Sequence, residues 1–150
     1  MNPCLAIIDS NTLSSIALRS ILWDVYNNVE VYTYGNMDSF IRDSNRHFVH
    51  FFVNSDILFK HIDEFETLKA MTTILTEGRN PHLEDSGYLS LDMTMKEEEI
   101  IDSLVNLQNI GHYGNTRKHE EDYAELQKDK LSKREKEVLK LMVKGLINKE

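Results

Sequence analysis

Over the first 110 or so residues, short apolar runs of strand character alternate five times with stretches of helical spacing. This alternation constrains the chain more than any other feature, because strand–helix repeats of this length build parallel sheets. Residues 4–8 (Cys-Leu-Ala-Ile-Ile) are a first strand, ending at Asp9-Ser10-Asn11. A helix is predicted over 12–26, with Leu13, Ile16, Ala17, Ile21 and Leu22 apolar and Asn11 or Thr12 as its cap. Val29, Val31 and Thr33 alternate with Glu30, Tyr32 and Tyr34 as a second strand, stopped at Gly35. A short helix over 37–44 would turn Met37, Phe40 and Ile41 inward.

The aromatic, β-branched run at 47–53 predicts a third strand. One helix is predicted over 56–70, with Ile57, Leu58, His61, Ile62, Phe65 and Leu68 on one side. Met71–Thr76 forms the fourth strand and 87–91 the fifth, with a short or irregular element over 79–86 around Asn80-Pro81. Thr94 and Glu97 have capping-box spacing before a helix carrying Ile100, Ile101, Leu104, Val105 and Leu107. Right-handed crossovers then give an α/β, doubly wound (βα)5 parallel sheet with helices on both faces.

Composition narrows the class further. At 41% hydrophobic and 28% charged, with 2 Pro and 6 Gly, the chain is not low-complexity or disordered. It has no apolar run long enough for a membrane span and no signal-peptide start. Its single cysteine, Cys4, is expected to be a small buried residue in a reducing cytoplasm. The net charge of −8 is uneven: residues 1–116 hold 7 Lys+Arg against 17 Asp+Glu, and residues 117–150 hold 10 against 8. The domain organisation expected is therefore 1–109 as the α/β unit, 110–130 as a polar linker, and 131–150 as the start of an all-α unit.

Within that last segment, Ser132 and Glu135 form a second capping box. The helix behind it carries Val138, Leu139, Leu141, Met142 and Val143 and stops at Gly145. The strings Leu131-Ser132-Lys133-Arg134-Glu135-Lys136-Glu137-Val138-Leu139 and Gly145-Leu146-Ile147-Asn148-Lys149-Glu150 resemble the opening of a LuxR-type helix-turn-helix domain. That resemblance implies DNA binding by a complete domain, with Lys133, Arg134, Lys144 and Lys149 among the phosphate contacts. The recognition helix would lie beyond Glu150.

A LuxR-type segment behind a (βα)5 unit resembles a two-component response regulator, so the first unit is expected to be receiver-like (flavodoxin-like). The resemblance implies a phosphoacceptor Asp at the end of strand three, an acidic pair after strand one, a Thr or Ser after strand four, a Lys after strand five, and Mg2+ among the carboxylates. Asp9 and Ser10 stand at the acidic pair, Asn54 at the acceptor, Thr76 at the hydroxyl and Leu91 at the lysine. Asn54 cannot form an acyl phosphate and Leu91 cannot pair with one. These five residues read as a degenerate phosphorylation pocket; the nearby Asp56, two residues late, is the alternative acceptor.

No other catalytic constellation is present. His47 and His50 would point to opposite faces of a strand, the other four His are dispersed, and Glu97-Glu98-Glu99 suits a helix start. The sequence thus predicts no enzyme, no cofactor and no metal site. It predicts a cytoplasmic transcriptional regulator, homodimeric through its last α/β-unit helices, that binds DNA only when full length. Control would come through a protein partner or small-ligand effector, without membrane association. An alternative is a stand-alone interaction module that titrates a full-length regulator.

Overall fold

The computed structural model describes residues 2–43 and 45–107. Five parallel strands lie in the order β2-β1-β3-β4-β5: β1 (Cys4–Ile8), β2 (Glu30–Tyr34), β3 (Phe48–Asn54), β4 (Thr72–Thr76) and β5 (Leu89–Asp92). The doubly wound α/β fold is therefore present. One face is covered by α1 (Thr12–Val25) and α6 (Glu97–Leu107), over Leu5, Ile7, Phe52, Leu75 and Leu91. The other carries α2 (Met37–Arg42), α3 (Ser55–Lys60), α4 (Ile62–Phe65) and α5 (Pro81–Glu84), over Ala6, Ile8, Phe51, Val53 and Ile74. Strands buried on both faces explain the near-continuous apolar runs.

Several local expectations change. In α1 the buried positions are Ser15, Leu18 and Leu22, while Leu13 and Ile16 face solvent. This helix is apolar on two sides, and periodicity alone does not say which side meets the sheet. The Asn11 cap, whose side chain accepts from the Ser14 N–H at 3.1 Å, fixes the start of the helix. Ile41, expected inward, is exposed; Cys4, expected buried, is only half-buried, with Sγ 3.6 Å from the Glu30 carboxylate.

The single helix expected over 56–70 is three pieces: α3, α4 and a 3-10 helix at Glu66–Met71. It breaks at His61, whose backbone (φ −125°, ψ 33°) leaves the helical region. Leu58 and Phe59 before the break and Ile62 and Phe65 after it are buried in one cluster. Thr94 does not cap α6: its N–H and hydroxyl both donate to Asp92 Oδ1, and the helix begins at Glu97. His47 precedes β3, whereas His50 is buried in the strand and shares a 2.7 Å hydrogen bond with Thr73 Oγ1.

Candidate functional site

All five strands run the same way, so their carboxyl ends meet at one edge, where α/β folds place ligands. Asp9, the first residue after β1, is only 5% exposed there. Its Oδ1 accepts from the Asn11 N–H at 2.9 Å, and the Asn54 amide donates to the same carboxylate. Burial pushes the Asp9 carboxyl above its ordinary pKa; the two hydrogen bonds pull it down, and the nearby Asp56 charge adds to the upward push.

Asn54 closes β3. Its Oδ1 accepts from the Asp56 N–H at 2.9 Å and so caps α3. Both ends of the amide are thus engaged, the nitrogen on Asp9 and the oxygen on the α3 backbone. Asp56 itself is exposed in the first turn of α3. Thr76 closes β4; its hydroxyl donates to the Leu91 carbonyl at 3.4 Å.

Leu91 is 1% exposed and packs among the α1–α6 residues under the sheet. The structure therefore brings Asp9, Asn54 and Thr76 together at the strand ends, leaves Ser10 exposed at the rim, and turns Leu91 away. An open cleft of about 630 Å³ runs from Asn54 and Asp56 past Thr76 to Glu77, Arg79 and His82. Among the described residues no group of three or more His, Cys, Asp or Glu is arranged to hold a metal ion.

Sequence reasoning assigns no role to Asp92, at the end of β5. Its Oδ1 accepts from the Gly78 N–H (2.9 Å), the Thr94 N–H (2.9 Å) and the Thr94 hydroxyl (2.6 Å). The Thr94 hydroxyl first, then the backbone donors, hold this carboxyl below its ordinary pKa. Gly78 has φ +101°, a backbone that side chains rarely adopt, and this aims its N–H at Asp92. The Asp-x-Thr spacing of Asp92 and Thr94 is the available sequence signal for this turn. Arg79, just before α5, and His82, within it, line the cleft from a segment with no periodicity to mark them.

No protein-family model and no curated protein matches the sequence. Solved structures do match the fold. RcsB from Salmonella enterica serovar Typhimurium, bound to promoter rprA in the presence of phosphomimetic BeF3-, aligns with TM-score 0.61 at 18% identity over 97% of this chain and 79% of that one. A response regulator receiver protein from Pseudoalteromonas atlantica gives TM-score 0.54 at 15% identity, covering 71% of this chain and 98% of its own. The response regulator RPA3017 in red light signaling of R. palustris gives 0.58 at 9% identity, covering 76% and 95%. The chain has the fold of response-regulator receiver domains. Among the described residues no helix is long and apolar enough to cross a membrane. The expected linker (110–130), the expected helix-turn-helix segment (131–150) and its Lys133, Arg134, Lys144 and Lys149 lie outside the described residues.

Proposed function

We propose that this chain is a non-enzymatic transcriptional regulator of response-regulator type, whose receiver-like domain works without phosphorylation and which binds DNA through a LuxR-type unit when full length. One observation carries the first half: the residue at the acceptor position is an amide, Asn54, held by Asp9 on one side and the α3 backbone on the other. Leu91, where the resemblance places a phosphate-pairing lysine, belongs to the core. The donor set does not fit the Mg2+ that the resemblance implies. One carboxylate, Asp9, remains after β1, and Ser10 and Asn54 put neutral side chains where the resemblance places the other two, so most of the anionic ligands are missing. The receiver fold and the likeness to RcsB, itself bound to promoter DNA, support the second half, as do the Leu131–Leu139 and Gly145–Glu150 strings.

In this proposal two copies pair through α6 and its neighbours and set two helix-turn-helix units on a repeated half-site. Signal enters as protein level, a partner or a small effector rather than as phosphate. The test is an amide NMR titration with beryllofluoride and Mg2+. Unchanged spectra are expected; shifts spreading from Asn54, Asp56 and Thr76 would overturn the phosphate-independent reading and favour Asp56 as acceptor. Selection of DNA sequences by the native protein from its own cells tests the DNA-binding half separately.

A further inference from the structure

The cleft of about 630 Å³ at the carboxyl edge of the sheet is divided by charge. Acid gathers on the side of the strand ends. Asp56 stands exposed in the first turn of α3, and Glu77 directly follows β4. Buried Asp9 lies behind them, tied to the cleft by the Asn54 amide. Burial and the Asp56 charge both push the Asp9 carboxyl up, so two like charges act on each other here. The ion pairs Arg46–Asp43 and His61–Glu64 lie elsewhere, and among the described residues no cationic side chain is within 4 Å of Asp9, Asp56 or Glu77. The opposite wall, running into α5, carries the Arg79 guanidinium and the His82 imidazole. The planar fork of an arginine has donors enough to grip a carboxylate beside another partner. Phe59, Leu75 and Leu83 give the cleft its apolar lining.

We propose that this cleft binds a small zwitterion, an α-amino acid with an apolar side chain, with its ammonium at Asp56 and its carboxylate at Arg79 and His82. The class of ligand follows from the division of charge. A cation alone would meet the Arg79 guanidinium, and an anion alone would meet the field of Asp9 and Asp56. A molecule carrying both charges at once suits both walls. Its ammonium also supplies the counter-charge that the Asp9–Asp56 pair lacks. An apolar side chain on the ligand matches Phe59 and Leu83, and the volume lies within the range of about 300–1,000 Å³ usual for small-molecule sites. The inference rests on the phosphate-independent reading above and gives the small effector a chemical class. Bound between α3 and α5, the amino acid would hold the two walls of the cleft together.

The test is an amide NMR titration of the whole chain with L-leucine, L-phenylalanine, N-acetyl-L-leucine, which has no ammonium, and L-leucinamide, which has no carboxylate. Both amino acids are expected to shift the amides of Ser55, Asp56, Gly78 and Arg79, and each blocked analogue to bind weaker by roughly tenfold or more. Asp56→Asn should abolish the discrimination against N-acetyl-L-leucine, and Arg79→Gln that against L-leucinamide. Both positions are exposed, so the variants keep the core intact. Absence of shifts with either amino acid at about 10 mM overturns the proposal. So does equal binding of the blocked analogues, which would make the cleft merely apolar, and this comparison needs no variant. A response to beryllofluoride strikes the phosphate-independent reading instead, and because the titrants differ the two failures are told apart.

Discussion

Asp9 keeps a carboxylate almost out of water with two hydrogen bonds to hold it. Its folded pKa is raised, so the stability it contributes is fully present below the ordinary carboxylate pKa and is lost as pH rises through its folded value. Asp9→Asn keeps an oxygen for the Asn11 N–H and removes the buried charge. Urea unfolding should find this variant more stable than the parent at about pH 7, with the advantage shrinking towards about pH 4. Asp92 has the opposite sign. Its lowered pKa gives stability that is present above the ordinary value and lost as pH falls through the folded one. Asp92→Ala should cost about 1–2 kcal/mol and speed amide exchange at Gly78 and Thr94. Leu91→Lys restores the residue type of a receiver lysine, but into the core. A loss of about 2–4 kcal/mol in chemical denaturation is expected, with no gain of response to a phosphoryl mimic.

At the scale of elements, the strands were legible within a residue or two: β1, β3 and β4, buried on both faces, leave a near-uninterrupted apolar signature, and the edge strand β2 alternates. The short α5 was legible too, since residues 79–86 carry little helical periodicity around Asn80-Pro81. Helix orientation was not. The sequence of α1 offers two apolar stripes, and the sheet takes Leu18 and Leu22 while leaving Leu13 and Ile16 outside. The break at His61 was also hidden, because Leu58, Ile62 and Phe65 fit one face of an unbroken helix as well. Elements differ in what holds them. Asn11→Ala should cost about 1 kcal/mol through the lost cap of α1. Leu104→Ala, fully buried between α6 and the sheet, should cost about 2–5 kcal/mol. Thermal denaturation of the two variants side by side checks the ranking.

For the whole molecule, the sequence by itself determined the parallel α/β architecture and the residue types at the strand ends. It also put an amide, Asn54, at the end of the third strand. These follow from local rules: periodicity selects strand or helix, and one strand-end residue has one chemistry wherever the chain goes. Only the tertiary structure decided how those residues are used. It placed the Asn54 amide on Asp9, turned the Leu91 side chain into the core, tied Gly78 to Thr94 through Asp92, and left the Leu13-Ile16-Trp23 side of α1 facing solvent. Each of these depends on contacts between segments far apart in sequence. Side-chain direction at a sheet edge is set by register and by the face its neighbours occupy, and neither is written in the spacing of one segment.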